Sequence, residues 1–240
     1  MLNRQPDFMT VRGHTVYARR LGADAVIVDL GANRGEFARQ MSKLIGGRYY
    51  LVEANPKLQQ LLQSETAFPV LCCAVAPQDG PIHFNLSKND EGSSILTLPP
   101  TSPYNCVLDS TLEVPGKELR SILAELQLAS VDLLKVDIEG AEVGMLGTAD
   151  PTLLERIGQI TVEFHGDQVF GFGLQSEVER VVARLESLGF VALDFSFSRR
   201  TDVLFVNLPF HGLSAVRGRW WQLRYIVREQ LRRRMSQLAR

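Results

Sequence analysis

The feature that most constrains the fold is the segment VIVDLGANRGEF, which runs from Val26 to Phe37. A short apolar run, Ala25–Asp29, ends in an acid, and the glycine turn GANRG leads into a segment whose apolar residues recur at helical spacing. An acid at the end of a buried strand needs a cationic or hydrogen-bonding partner. The segment therefore predicts a strand, a glycine turn and a helix, with Asp29 placed where the turn begins.

The same pattern of strand and helix recurs along the chain. The predicted strands are Ala25–Asp29, Tyr49–Glu53, Pro69–Val75, Val131–Asp137 and Ile160–His165, with Ile82–Leu86 folded back on its neighbour and a closing hairpin of Phe190–Phe195 and Asp202–Val206. Turn-forming residues and prolines interrupt Ser87–Ser110, which is predicted to be a long loop. Strands that alternate with helices indicate a Rossmann-like α/β fold, with a mainly parallel sheet, helices on both faces and a C-terminal antiparallel hairpin.

The composition is that of an ordinary globular protein, since 45% of the 240 residues are apolar and 22% are charged. The N-terminal residues lack the apolar core of a signal peptide, and no apolar run reaches the roughly 20 residues of a membrane span. We therefore expect a cytoplasmic protein. We divide the chain into an N-terminal extension (1–24), one α/β domain (25–207) and a C-terminal basic amphipathic helix (208–240).

This C-terminal segment carries most of the positive charge of the chain. Residues 211–240 contain eight Arg and one Glu, which makes them +7 in a chain whose net charge is -1. From Trp220 onward the apolar residues recur at helical spacing, which is a basic amphipathic pattern. Three interpretations stand: docking on its own domain or on a second subunit, peripheral contact with an anionic membrane surface, and contact with nucleic acid, which is the least favoured.

Five polar residues are predicted to share one rim of the sheet, because ligands bind beyond the carboxyl ends of parallel strands. They are Asp29, Glu53, Asp137, Glu163 and His165. Glu53 ends the second strand, where an acid accepts the hydroxyl hydrogens of a ribose. The turn is G-x-x-x-G and lacks the third glycine that favours a pyrophosphate, so a nicotinamide-dependent oxidoreductase is only the alternative interpretation.

Asn33 in the glycine turn allows two interpretations. With Glu36 three residues later, it fits a helix cap and its capping-box partner. It also lies where its side chain would contact a ligand held by the turn. Both interpretations stay open from the sequence.

Four segments carry a family resemblance: VIVDLGANRGEF, YYLVEANP, VDLLKVDIEGAEVGMLG and ITVEFH. With them, from about Ala25 to Asn207, the chain closely resembles the FkbM-type family of class I S-adenosylmethionine-dependent methyltransferases. The resemblance implies a class I methyltransferase fold with a seven-stranded sheet. It also implies O-methyl transfer onto a hydroxyl of a sugar, polysaccharide or polyketide-type natural product. A non-catalytic methyltransferase-like binding module is the remaining alternative.

The resemblance also implies which residues hold S-adenosylmethionine. Asp29, Gly31 and Gly35 would hold its amino-acid end, and Glu53 its ribose. The full predicted set is Asp29, Gly31, Ala32, Asn33, Gly35, Phe37, Glu53, Ala54, Asn55, Ala74, Val75 and Asp137. The acid often found near adenine is missing from Cys73-Ala74-Val75, so backbone groups or Asp79 would take its place.

A hydroxyl is a poor nucleophile at neutral pH, so its methylation needs a base, or a metal that lowers the pKa of the hydroxyl. In the first hypothesis His165 is the base, Glu163 orients it or the substrate, and Asp137 completes the catalytic set. In the second, less favoured, hypothesis a divalent metal is bound by Asp137, Glu139, Glu163 and His165. Lys135 is interpreted as the partner of Asp137 or Glu163 in a buried network, and Glu139 as an acid that favours the next helix N-terminus.

Three polar residues of the long loop are candidate contacts for a small-molecule or glycan acceptor. They are Asn89, Ser93 and Ser94. Residues of these types are equally common in solvated loops, so the structural interpretation has the same weight.

Overall fold

A mixed sheet of seven strands lies at the centre of the molecule. The computed structural model describes residues 7–88, 92–97, 108–165, 173–196 and 201–224. The strands are β1 (Met9–Val11), β2 (His14–Val16), β3 (Val26–Leu30), β4 (Arg48–Glu53), β5 (Val70–Cys72), β6 (Ala74–Val75), β7 (Gly80–Ser87), β8 (Leu108–Lys117), β9 (Leu133–Val136), β10 (Gln159–Glu163), β11 (Phe190–Asp194) and β12 (Asp202–Asn207). The helices are α1 (Glu36–Ile45), α2 (Pro56–Glu65), α3 (Leu119–Glu125), α4 (Glu142–Thr148), α5 (Pro151–Leu154) and α6 (Gln175–Ser187).

The strand order of the central sheet is β11-β12-β10-β9-β3-β4-β5. The strands from β10 to β5 pair in parallel, and β12 is antiparallel to both β10 and β11. The chain therefore folds into the predicted mainly parallel α/β sheet that a C-terminal antiparallel hairpin completes. The parallel strands bring their carboxyl ends to one edge.

Alternation along the strands sends apolar side chains into two cores. Val28 and Leu30 of β3 are buried in the core that also contains apolar residues of α3 to α6. Ile27 of the same strand is buried in a second core with residues of α1 and α2. Both faces of the sheet are thus covered by helices, as predicted, and burial on both faces explains why most residues of these strands are apolar.

The prediction of one strand over Pro69–Val75 is wrong. Strand β5 pairs with β4 in the central sheet, but the chain leaves that sheet at the buried Cys73. Strand β6 then pairs with β8 in a separate sheet of order β6-β8-β7. The apolar run has the length of one strand, and its division into two strands becomes visible only through the pairing of β6 with β8.

Strand β8 was not predicted, because part of it falls in the segment assigned to a loop and the rest contains Pro115. It pairs antiparallel with β7, and the register places Pro115 opposite Pro81. Proline is tolerated where its missing N–H is not needed by the ladder. Leu112 and Val114 pack in a small core with Phe84. The alternation of apolar residues that is typical of a strand was therefore present in the sequence, but it is short and the proline outweighed it.

The N-terminal residues form part of the folded body. The hairpin of β1 and β2 is held to the far strands of the sheet, since Asp202 accepts hydrogen bonds from the Thr15 N–H (3.4 Å) and hydroxyl (3.0 Å). Gln159 accepts from the Tyr17 N–H at 2.7 Å and donates to the Tyr17 carbonyl at 3.2 Å. These bonds bring His14 to the carboxyl edge of the sheet. The boundary predicted at residue 24 stays a prediction.

The C-terminal residues 215–224 are helical. Trp221 packs in a core with Tyr17, Val191 and Leu204. In the part of the chain that the structure describes, no helix has the length and apolar character needed to cross a membrane.

Candidate active site

The glycine turn is fixed by packing against the neighbouring strands. Gly31 has φ +74°, and a Cβ at this position would lie 1.8 Å from the carbonyl oxygen of Asp137. A Cβ at Gly35 (φ +70°) would lie 2.8 Å from the side chain of Leu62. Glycine is therefore required by the close approach of β3 to the loop after β9, whether or not a ligand is bound.

Glu53 is held with its carboxylate at the end of β4. Its Oε2 accepts a hydrogen bond from the Asn33 N–H (2.7 Å), and its Oε1 accepts one from the Asn55 N–H (2.8 Å). Burial raises the pKa of Glu53, while the two backbone N–H groups act in the opposite direction. Each oxygen keeps a lone pair for a further donor, which is the requirement for binding a ribose diol.

The structure also decides the interpretation of Asn33 as a helix cap. Helix α1 is capped by Gly35 and not by Asn33. Glu36 instead pairs with Arg12 at 2.6 Å. The capping-box interpretation is therefore wrong, and Asn33, at φ +49°, serves the site through its backbone N–H.

Two cavities open along this edge of the sheet. The Glu53 cavity, of about 590 Å³, is lined by Gly31, Asn33, Val52, Glu53, Ala54, Leu58, Cys73, Ala74, Val75, Phe84, Gly92, Ser93, Ile95, Asp137, Ile138 and Glu139. The His14 cavity, of about 940 Å³, is lined by Arg12, His14, Gly31, Ala32, Asn33, Arg34, Glu36, Phe37, Lys135, Asp137, Glu139, Glu163 and His165. The cavities share Gly31, Asn33, Asp137 and Glu139, so they meet at the end of β9.

The predicted cofactor residues divide among these surfaces. Gly31, Asn33, Glu53, Ala54, Ala74, Val75 and Asp137 line the Glu53 cavity, whereas Ala32 and Phe37 line the His14 cavity. Asp29, Gly35 and Asn55 line neither cavity. Asn55 caps α2 by accepting a hydrogen bond from the Lys57 N–H at 3.0 Å. Asp79 accepts from the Glu118 N–H and the Ser121 hydroxyl and lines neither cavity.

Lys135 lies below the point where the cavities meet, and its ammonium group is almost fully buried. Its Nζ lies 3.1 Å from Asp29 Oδ1 and 3.3 Å from Asp137 Oδ2, and it donates to the Gly31 carbonyl at 2.8 Å. The predicted pairing of Lys135 with Asp137 is confirmed, and the second carboxylate that it pairs with is the buried Asp29. Burial raises the pKa of Asp29. Burial also acts to raise the pKa of Asp137, but Lys135 and the neighbouring histidines outweigh it and hold that pKa well below its usual value.

His165 lies among three carboxylates. Its Nδ1 is 2.9 Å from Glu142 Oε1, and its Nε2 is 3.3 Å from Glu139 Oε2 and 3.9 Å from Asp137 Oδ1. Burial lowers the pKa of His165, but the carboxylates, Glu142 first, outweigh it and raise the pKa to about 10. His165 therefore carries a proton at neutral pH, which is the wrong protonation state for the general base of the first hypothesis.

Glu139 occupies the shared wall of the two cavities in a constrained conformation. Its φ is +53°, a left-handed value that non-glycine residues rarely adopt and that is common at functional sites. Oε1 accepts from the Gly92 N–H at 3.2 Å, and the backbone carbonyl accepts from the Ser94 hydroxyl at 2.5 Å. Burial raises the pKa of Glu139 to about 7, although protonated His165 acts to lower it.

The predicted acceptor contacts in the loop have other partners. Ser94 Oγ donates to Glu139 and accepts from the Leu96 N–H, and Ser93 Oγ accepts from the Ser87 N–H at 3.0 Å. Both hydroxyls thus hold the loop over the Glu53 cavity. Asn89 lies outside the described residues. Contact of these residues with an acceptor stays a prediction.

A comparison with protein families identifies the chain. A family model described as the methyltransferase FkbM domain matches residues 29–192, more than half of the chain. The chain belongs to the FkbM methyltransferase family. A comparison with curated protein sequences finds no match.

Solved structures similar to this FkbM family member include a methyltransferase and two fibrillarins. A methyltransferase FkbM from Methylobacillus flagellatus KT is 14% identical over 80% of this chain and 46% of its own, with a TM-score of 0.48. The chain thus spans about half the length of that protein. The fibrillarin pre-rRNA processing protein of Methanococcus jannaschii is 13% identical over 78% and 67% of the two chains, with a TM-score of 0.42. Aeropyrum pernix fibrillarin, solved with natively bound S-adenosyl-L-methionine, is 15% identical over 77% and 66%, with a TM-score of 0.38.

The chemistry of the Glu53 cavity fits S-adenosylmethionine. The carboxylate of Glu53 suits the ribose diol, and the side chains of Ala54, Val75 and Phe84 suit the face of adenine. The carboxylate of Asp137, which also lines this cavity, suits a ligand that carries positive charge. Asp29 lines neither cavity and acts on Asp137 through Lys135, whose Nζ lies 3.1 Å from Asp29 Oδ1 and 3.3 Å from Asp137 Oδ2.

Two groups of the described residues have the spacing of a metal site. One is His14, Asp137 and Glu163, and the other is Asp137, Glu139 and His165, with ligand atoms within 4.8 Å of one another in each group. These carboxylates already face the cations Lys135 and protonated His165. The two groups contain all four residues predicted to bind a divalent metal, together with His14. Metal binding itself stays a prediction.

Among the site residues that were not predicted are His14 and Glu142. His14 comes from β2 and places Nε2 3.5 Å from Asp137 Oδ2. Glu142, fully buried at the start of α4, accepts from the Ile138 and Gly140 N–H groups as well as facing His165. Glu142 occupies the orienting position that was assigned to Glu163. Glu142 could have been predicted from the sequence, because it is an acid three residues after Glu139 with a glycine between them. No local sequence pattern indicated that His14 belongs to the site.

Proposed function

We propose that this methyltransferase transfers the methyl group of S-adenosylmethionine to a hydroxyl of a sugar, polysaccharide or polyketide-type natural product. The observation that carries the proposal is the position of Glu139. Its carboxylate lies in the wall that the Glu53 cavity shares with the strongly polar His14 cavity. A proton acceptor at this junction is what hydroxyl methylation requires and what transfer to an uncharged amine or a thiolate does not.

The Glu53 cavity binds the cofactor, and the His14 cavity binds the acceptor. When bound, S-adenosylmethionine would supply a methyl group on a sulfonium: the acceptor oxygen would bond to the methyl carbon, the carbon–sulfur bond would break, and its electron pair would stay on sulfur. The protein aligns the acceptor with the methyl group, and alignment of reacting atoms alone contributes up to about 7–11 kcal/mol.

Glu139 takes the proton of the acceptor hydroxyl. Of the carboxylates in the shared wall, Asp137 is held ionised by Lys135 and two histidines and is a weak base. Glu139 faces one cation, protonated His165, and is the stronger base. His165 then has an electrostatic role: it keeps a fraction of Glu139 ionised at neutral pH and fixes its orientation.

The lining of the His14 cavity suits a polyhydroxylated acceptor. Arg12, His14 and Glu163 offer donors and acceptors from three different segments of the chain. Few of its other side chains are apolar. A ligand with several hydroxyl groups satisfies such a lining better than an apolar ligand, because buried polar groups need hydrogen-bond partners.

The nature of the cofactor is tested by calorimetry with S-adenosylhomocysteine and with NADH. We expect binding of the first and none of the second. Tight NADH binding would favour the oxidoreductase alternative. Absence of both would favour a non-catalytic binding module.

Glu53→Gln is expected to weaken S-adenosylhomocysteine binding by about 10- to 100-fold, because hydrogen bonds to a charged group contribute about 1.5–3 kcal/mol. The amide also places a donor against the N–H of Asn33 or Asn55. Calorimetry measures the affinity, and thermal unfolding shows whether the fold is retained. The matched control is Glu155→Gln on the exposed surface. Equal affinities of the two variants would contradict the role of Glu53.

The reaction is tested with labelled S-adenosylmethionine and extracts of the host, followed by mass spectrometry of the labelled product. We expect one methyl group on an oxygen of a hydroxyl-rich molecule. Label on nitrogen, sulfur or carbon would overturn O-methyl transfer while leaving the methyltransferase assignment intact.

A further inference from the structure

The helical residues 215–224 present two different faces. One face is fixed to the domain: Trp221 is buried, with its ring 4.9 Å from that of Tyr17 and 5.4 Å from that of Phe8. Gln222 donates to Glu186 Oε1 (3.1 Å) and to the Ala192 carbonyl (3.2 Å). The predicted docking of the C-terminal segment on its own domain is therefore present in this part, and it uses the Trp221 side only.

The opposite side, which we call the Trp220 face, consists of Val216, Trp220 and Leu223. Their exposed fractions are 76%, 51% and 65%, and the spacing of four and three residues places them on one side of a helix. Within the described ranges, the large apolar side chains that are exposed are these three and Leu44. Exposed apolar residues scattered singly need no explanation, but three on one helix face indicate a surface that is covered in use.

Arginines surround this face. Arg224 stacks over the ring of Trp220 at 4.5 Å, and Arg219 is exposed beside it. In the sequence, residues 211–240 carry +7, which leaves -8 for the remainder of the chain. The positive charge and the exposed apolar side chains therefore lie in the same segment.

We propose that the Trp220 face lies on an anionic lipid surface. An amphipathic helix with Trp and Leu on one face and Arg beside it has the composition of helices that lie in the headgroup region, where Trp prefers the interface. Anionic lipids attract each nearby Arg. A second copy of the chain is a poorer occupant, because a two-fold interface brings the same arginines together. Nucleic acid would engage the arginines and leave Val216 and Leu223 exposed.

The proposal is tested by flotation of the full chain with vesicles of phosphatidylcholine alone and of phosphatidylcholine with phosphatidylglycerol. We expect binding to the anionic vesicles at least tenfold tighter than to the neutral ones, and weakening as salt is added. The triple variant V216S/W220S/L223S is expected to bind anionic vesicles at least tenfold more weakly. The control L44S changes an equally apolar exposed residue on α1 and is expected to bind like the unchanged chain.

Three results would overturn the proposal. Equal flotation of the triple variant and L44S would mean that the Trp220 face does not contact lipid. Equal binding to neutral and anionic vesicles would show that the arginines beside the Trp220 face are not attracted to anionic lipid. A dimer in analytical ultracentrifugation that the triple variant abolishes, without vesicle binding by the unchanged chain, would assign the face to a second copy. Circular dichroism of all variants checks that the fold is retained.

Discussion

Glu139→Gln is expected to slow methyl transfer by about 10²- to 10⁴-fold, which is the usual contribution of a positioned general base. The substitution keeps the shape of the side chain and its contact with the Gly92 N–H, but removes the proton acceptor from the wall between the cavities. Affinity for S-adenosylhomocysteine is expected to change little. Single-turnover rates and calorimetry measure the two quantities separately.

The pH dependence gives an independent test of the same group. Glu139 acts when ionised, and its pKa is raised to about 7, so the rate of the unchanged protein is expected to fall as the pH drops through about 7. In Glu139→Gln the remaining slow rate should lack this limb. Glu113→Gln, an exposed acid on β8, is the matched control and should keep the limb. A variant at Glu139 with the unchanged rate and the unchanged limb would contradict the assignment.

A substitution at His165 distinguishes between its two possible roles, general base and positioning residue. Protonated His165 acts to lower the pKa of Glu139, so His165→Gln is expected to move the acid limb to higher pH and not to remove it. If His165 were the base, its replacement would abolish the acid limb of the pH–rate profile and would not shift it. Glu142 keeps two backbone donors in this variant, so the loop between Glu139 and α4 retains much of its support.

The parts of the fold that the sequence predicts are those that local patterns determine. Strands β3, β4, β9 and β10 are apolar runs buried on both faces, and each ends in an acid or a glycine turn, so their pattern alone is sufficient. Strand β8 is different, because its pairing with β7 is decided by contacts across the chain, and Pro115 argues locally against a strand. The division of Pro69–Val75 into two strands was missed for the same reason, because it depends on the pairing of β6 with the unpredicted strand β8.

The site shows the same division between local and long-range information. The rim residues of the four strands were predicted, because position at the carboxyl end of a parallel strand is a property of each strand. His14 was missed because a strand of three residues is held at the rim by Thr15 and Tyr17, whose partners Asp202 and Gln159 lie more than a hundred residues away. The base was assigned to His165 because histidine is the usual choice at neutral pH, and the carboxylates that raise its pKa become visible only in the folded chain.

Lys135→Met is expected to lower the free energy of unfolding by about 3–5 kcal/mol, the usual cost of removing one partner of a buried ion pair. Methionine has a similar shape, so the loss comes from Asp29, which is fully buried and has Lys135 as its ion-pair partner. The Gly31 carbonyl also loses its donor. Chemical denaturation measures the change. Lys117→Met is the matched control, since its ion pair with Glu125 at 2.8 Å is partly exposed to solvent and its loss should be much smaller.

The sign of the pH dependence identifies Asp29 as the cause. Burial already raises the pKa of Asp29 in the folded protein, and Lys135 opposes this, so the variant raises it further above the unfolded value of about 3.9. Such a group takes up a proton on folding, and the stability of Lys135→Met is therefore expected to fall as the pH rises above about 4. The double variant Asp29→Asn with Lys135→Met removes the buried charge and should recover part of the loss and flatten its pH dependence. Equal stabilities of the single and double variants across pH 5–8 would show that Asp29 is not the group that Lys135 stabilises.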